Sequence, residues 1–344
     1  SQSAGNLGVD GALAIVQASG DLAFSNLSAA SVSLFAEAGR ISQSGPVVSA
    51  NLVARAQNGV ALSNAGNRVG GFSASNSGAG GIALTNVSKP GTLVLGTLSS
   101  GAGDIVIDNT GGIESHAINA NGGNVSLTAH SPIQVEGAIS GADIDLSAST
   151  DIVLGDGARL AALSDVSMSA GTGIALQGAA RVNAGGNIAL AAGTGVTLDG
   201  TSSLTASAGS IHIATASGSI VAGGGASISG ASVLLSAPQG AVVAPGSVFA
   251  GGAVPVVESG TGATPVQVAP LTQALNTTIN LINTSSSGGL DPAPAQMPPL
   301  GTVASEPESA NDKGGVARVI DDARSTSNEQ GVEKNDGIKK TFCN

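Results

Sequence analysis

Gly185 to Ala206 reads GGNIALAAGTGVTLDGTSSLTA and holds three short alternations of apolar and polar residues. They are Ile188-Ala189-Leu190, Val196-Thr197-Leu198 and Ser203-Leu204-Thr205, separated by Gly-rich or Ser/Thr-rich corners. A period of two sends alternate side chains to opposite faces, the pattern of a half-buried strand. The trio recurs on both sides. Its first strand begins at Val125, Ile144, Val166, Ile188, Ile211 and Val233, at steps of 19, 22, 22, 23 and 22 residues. The second recurs at Ile152, Ile174, Val196, Ile220 and Val242, and the third at Leu160, Val182, Leu204, Ile228 and Val248. Three series in step at about 22 residues, with no helix between them, predict an all-β solenoid. Each repeat is one coil of a single-stranded parallel β-helix.

Composition agrees. The 344 residues contain no Trp or Tyr, and the only rings are Phe24, Phe35, Phe72, Phe249 and Phe342. A narrow interior filled by stacked Ala, Val, Leu and Ile has no need of bulky rings, whereas a globular core usually contains some. Net charge is −11, with no basic stripe to neutralise phosphates, which argues against nucleic-acid binding. Of 35 charged residues, 14 lie between Glu306 and Lys340, so the repeat region is sparsely charged. A single cysteine, Cys343, permits no internal disulfide. No run of about 18 apolar residues is present, so no transmembrane helix is expected.

Residues 1–250 are read as the β-helix, about 11 coils stacked at about 4.8 Å into a rod on the order of 50 Å long. From Ser1 to about Asn121 the repeat is looser. First strands are expected there at Val32, Leu52, Ile82 and Ile105, at steps of 20, 30 and 23 residues. The 30-residue step is expected to hold an additional strand at residues 69–72 and an irregular surface loop within residues 65–80. Residues 251–284 form a Pro/Val-rich transition in which Pro255, Pro265 and Pro270 break any ladder. Leu271, Ala274, Leu275, Ile279 and Ile282 within it suit one amphipathic helix capping the rod. Residues 285–344 read as linker and disordered charged tail. The first residues already read as repeat, which predicts that the chain is the downstream part of a longer protein.

The candidate site residues each have an ordinary reading beside the functional one. Asn124, Asp143, Asp165, Asn187, Ser210 and Ser232 occupy equivalent corners. Their structural reading is a ladder of side chains bonded to backbone. Their functional reading is a calcium site at Asp143 and Asp165, with Asp145 and Asp151 nearby, because stacked carboxylates repel and a cation relieves that. The structural reading is preferred: the nonapeptide calcium pattern is absent, and Gly101-Ala-Gly-Asp104 lacks its spacing and repetition. Polysaccharide lyases and hydrolases share this architecture, and Asp143 with Asp145, or Asp151 with Asp156, would be their paired carboxylates. Nothing accompanies either pair, and Arg40, Arg55, Arg68, Lys89, Arg159 and Arg181 are scattered along the rod. Solvated surface acids are the simpler assignment. His116, His130 and His212 show no ligand spacing, so neither a metal nor a cofactor is expected. Cys343 carries two readings, an intermolecular disulfide or anchoring tether and a terminal exposed thiol.

Several segments resemble the filamentous haemagglutinin family of two-partner-secreted exoproteins. The residues that carry the resemblance are Gly39-Arg-Ile-Ser-Gln-Ser-Gly45, Asn64-Ala-Gly-Asn-Arg-Val-Gly-Gly-Phe72 and the GGNIALAAG-type coils at Gly123 and Gly186. The resemblance covers about Ser1 to Ile282, and Phe342-Cys-Asn344 is similar to the ending of some of these exoproteins. It implies a right-handed β-helix and a surface adhesin or haemagglutinin of a Gram-negative bacterium. It also implies an outer-membrane β-barrel transporter as partner of the full-length protein, and a host-cell receptor or glycan as ligand. The expected function is therefore the rod of a secreted, surface-exposed adhesin. The alternatives are a β-helical enzyme acting on acidic glycans and a truncated gene product with no independent role.

Overall fold

The computed structural model describes residues 2–4, 6–243, 248–250 and 256–258, with side chains from Asn6 to Val242. Every described element is a strand, and every pairing between strands is parallel. The described residues form a right-handed β-helix with three faces and about 21 residues per coil. One face is a sheet of thirteen strands taken in chain order, from Gln2–Ala4 to Val256–Glu258. A parallel neighbour cannot be reached by a tight hairpin, so the chain crosses the two other faces before it returns.

Those two faces are built in two ways. In the later coils each is a separate short strand, such as Ile152–Leu154 and Arg159–Ala162, joined by a corner. In the middle coils one long strand crosses both: Val47–Ala56, Arg68–Asn76, Thr92–Ser100, Gly112–Asn119 and Ile133–Gly141. Such a strand turns where two successive residues face outward, as at Ala50-Asn51 and His116-Ala117, a local bend like that of a β-bulge. The two designs meet at Ile133–Gly141, whose Ile133 pairs with Ile152 and whose Ile139 pairs with Leu160.

The core is a set of stacked columns. Leu84, Ile107, Leu127, Leu146, Met168, Leu190 and Ile213 follow one another in register on the first face, none more than 1% exposed. Each such side chain removed from water contributes about 2 kcal/mol. Because every coil buries its apolar side against the next, stability accumulates along the stack.

The repeat from Val125 to Val233 has the predicted register on the first face, and the coils at either end differ. Val32 and Leu52 lie on the third face, where Val32 pairs with Leu52 and Leu52 with Phe72. The first face runs through Leu22, Ile41, Val60, Ile82, Ile105 and Val125, at steps of 19, 19, 22, 23 and 20 residues. The apparent 30-residue step joined two different faces, and residues 65–80 form no irregular loop. Their strand, Arg68–Asn76, is paired on both sides, with Val47–Ala56 and Thr92–Ser100. In the last coil the register slips by one: Ile220 pairs with Ala241, which is 2% exposed, while Val242 faces out at 48%. Likewise Ile228 pairs with Phe249 rather than Val248. The first-face ladder continues beyond Ala250 to Val256–Glu258, paired with Val233–Ser236. The expected capping helix, the charged tail and Cys343 fall outside the described residues.

Candidate functional site

The corner acids form a chain of side-chain to backbone hydrogen bonds along one edge of the rod. Asp143 N–H donates to Asn124 Oδ1 at 3.1 Å, Asp165 N–H to Asp143 Oδ1 at 3.0 Å, and Asn187 N–H to Asp165 Oδ1 at 2.6 Å. Ser210 N–H then donates to Asn187 Oδ1 at 2.9 Å, and the Ser232 hydroxyl meets that of Ser210 at 2.7 Å. The ladder starts one coil earlier than the sequence indicates: Asn124 N–H donates to Asp104 Oδ1 at 2.8 Å. A strand-leading amide that points along the rod axis has no ladder partner of its own, and an Asx oxygen one coil below supplies it. Asp143 and Asp165 are thus stacked as the sequence predicts, with one oxygen of each already accepting a backbone proton.

The other candidate acids are placed similarly. Asp151 and Asp156 sit at opposite ends of Ile152–Leu154. Asp151 Oδ1 accepts Gly173 N–H at 2.9 Å, and Asp156 Oδ1 accepts Ala179 N–H at 2.7 Å. Asp145 faces outward between Ser126 and Ser167 of the adjoining coils. A shallow recess of about 250 Å³ on the second face includes Asp151, Thr194 and Thr197, with aliphatic residues between them. Among the described residues, no three His, Cys, Asp or Glu side chains converge to hold a metal ion. His212 faces outward, as its place between Ile211 and Ile213 predicts. His116 and His130 each meet a carboxylate, Glu114 at 3.1 Å and Asp108 at 3.3 Å, on the exposed surface where such pairs contribute little.

The polar feature that sequence reading misses lies inside the rod. Asn67, Asn76, Asn86 and Asn109 are at most 2% exposed. Asn86 Oδ1 accepts Val69 N–H at 2.8 Å, and its amide donates to Val69 O at 3.0 Å and to Asn109 Oδ1 at 3.0 Å. Asn109 donates to Gly112 O and to Ser88 Oγ, both at 2.7 Å. Asn67 accepts Val47 N–H at 2.8 Å and donates to Leu62 O and Thr85 O at 3.0 Å. Asn76 accepts Gly59 N–H at 2.7 Å and donates to Gly78 O and Gly80 O. Each amide satisfies backbone groups at a corner where the chain changes face, so these side chains are structural. The signal is present in Asn64-Ala-Gly-Asn67, but an Asn after Ala-Gly reads equally well as surface turn.

On the third face, near the start of the chain, the outward side chains are of another kind. Val16, Phe35, Arg55 and Ser75 follow one another in register. The Arg55 guanidinium carbon lies 5.8 Å from the centroid of the Phe35 ring. Two shallow depressions lie on this face, one of about 530 Å³ around Asn51, Gly70, Gly71 and Gly96, the other of about 340 Å³ on the stripe itself around Phe35 and Arg55.

No family model matches the chain, and neither a curated protein nor a solved structure is significantly similar to it. Among the described residues there is no helix long and apolar enough to cross a membrane, which leaves membrane-crossing strands untouched.

Proposed function

We propose that this chain is the rod portion of a secreted, surface-exposed bacterial adhesin or haemagglutinin, part of a longer exoprotein. The observation that carries the reading is the unbroken parallel register of the first face from Leu22 to Ser236, coil upon coil around a mainly aliphatic interior. A β-helix of local contacts can fold coil by coil as it emerges from a translocation pore. Asp143, Asp151, Asp156 and Asp165 each hold a backbone amide, so the reading gives the rod no catalytic centre of its own. Its partners on this reading are an outer-membrane transporter for the full-length protein and a host receptor or glycan. The producing organism would be Gram-negative.

Surface exposure tests the proposal. Antibody against the rod should label intact producing cells, and external protease should remove that label while leaving cytosolic markers whole. Label that appears only after lysis would contradict it. The enzyme alternative makes a different demand: turnover of an acidic polysaccharide, lost in Asp143→Ala or Asp151→Ala.

A further inference from the structure

From the Phe35–Arg55 pair we infer that the third face carries a binding site for a carboxylated sugar, a sialic or uronic acid residue at the exposed end of a glycan. The assignment rests on the adhesive reading above and names a ligand class for it. Of the rings whose side chains are described, Phe24 and Phe72 are buried in the core, and Phe35 is the one on the outer surface. Arg55 stands over that ring, and among the described residues its guanidinium has no hydrogen bond or ion pair. The π contact holds the guanidinium in place without using its N–H groups, which keeps the planar fork free for a carboxylate.

The surrounding shallow depression of about 340 Å³ supplies what a hydroxylated ring needs. Gln57, Ser75 and Ser77 line it beside the two anchors and offer amide and hydroxyl groups to sugar hydroxyls. The half-buried Phe35 ring gives an apolar surface for the C–H side of the pyranose. Glu37 lines the same depression and selects against dense negative charge. One carboxylate on Arg55, with a neighbouring hydroxyl donating to Glu37, is accommodated; a run of sulfates is repelled. The charge of the rod points the same way. Residues 1–100 carry four basic and three acidic side chains, whereas residues 101–250 carry two and ten. An anionic ligand is therefore best tolerated on the half of the rod that holds Phe35 and Arg55.

The test is saturation-transfer NMR and biolayer interferometry on the full chain with sialyllactose, a glucuronate-terminated disaccharide, lactose and a sulfated heparin-type oligosaccharide. The wild type should bind the two carboxylated sugars in preference to lactose and to the sulfated chain. Arg55→Gln should weaken that binding about tenfold or more, the loss of one charge-assisted bidentate contact. Phe35→Ser should do the same, and serine already occupies the next positions of that stripe, at Ser75 and Ser99. Circular dichroism checks the fold of each variant, and Arg55→Gln alone decides if Phe35→Ser misfolds. No binding of either carboxylated sugar, equal or tighter binding of lactose or the sulfated chain, or an unchanged affinity in Arg55→Gln would overturn the assignment. Adherence of protein-coated beads to host cells separates the two ideas. Wild-type beads that adhere equally well with Arg55→Gln sink the site and leave the adhesin. Wild-type beads that do not adhere sink the adhesin.

Discussion

Asn86 and Asn109 meet inside the rod, the amide of Asn86 donating to Oδ1 of Asn109 at 3.0 Å with both side chains fully buried. They occupy the same register position on adjacent coils, and Ala129 and Ala148 follow them there. A hydrogen-bonded amide pair thus takes the place that a methyl group fills in the later coils. The difference follows from what each corner must satisfy: Val69 presents both its N–H and its C=O to Asn86.

Asn86→Ala should therefore be costly although alanine is the residue of the later coils. It leaves the buried Val69 amide and carbonyl unpaired, at about 1–3 kcal/mol for each group. Hydrogen exchange at Val69 reads this locally: its protection should fall at least tenfold, and protection equal to wild type would contradict the role given to Asn86.

Ser115 predicts the opposite sign. Its hydroxyl is buried without a hydrogen-bond partner, at a core position between Leu95 and Val135. Ser115→Val removes the unpaired group and adds apolar volume, which should raise stability by about 1–2 kcal/mol in urea unfolding. A loss of stability would mean that the site lacks room for the two methyl groups.

The glycine corners separate steric from conformational demands. A Cβ at Gly218 would lie 1.3 Å from the carbonyl oxygen of Thr194, a backbone atom that cannot move aside cheaply. Gly157 has φ of 77° and open space around it. Gly218→Ala should cost more than about 3 kcal/mol and Gly157→Ala only about 1 kcal/mol, the ordinary penalty for alanine in a left-handed conformation. Equal thermal shifts for the two would contradict the close coil contact at Gly218.

Asp143 distinguishes ladder from metal site. Asp143→Asn keeps an Oδ1 acceptor for the Asp165 amide, so on the ladder account the variant stays within about 0.5 kcal/mol of wild type, with or without calcium. A calcium-dependent rise in wild-type melting temperature that disappears in Asp143→Asn would establish the cation site instead.

How far the sequence discloses this architecture depends on the coil. From Val125 onward the inward positions are almost all aliphatic and the corners nearly constant in length, so strand, face and register are all readable. Before that, Val32 and Leu52 carry the same alternation as Leu22 and Ile41, and nothing local says which face a strand belongs to. Only pairing across 19 or 20 residues decides it. The inward Asn67, Asn76, Asn86 and Asn109 further disguise the pattern, because a buried amide and a surface turn amide look alike in sequence. The slip at Ala241 has a similar origin: Ala241-Val242-Val243 offers an apolar residue in either phase. The outward pairing of Phe35 with Arg55 depends on two strands 20 residues apart in the chain and was not legible at all.

Adherence of the producing bacterium to host-cell monolayers tests the adhesive role proposed for the rod most directly. An in-frame deletion of this chain should lower the number of adherent cells several-fold, with recovery when the chain is restored. Adherence equal to that of the parent strain would contradict the claim.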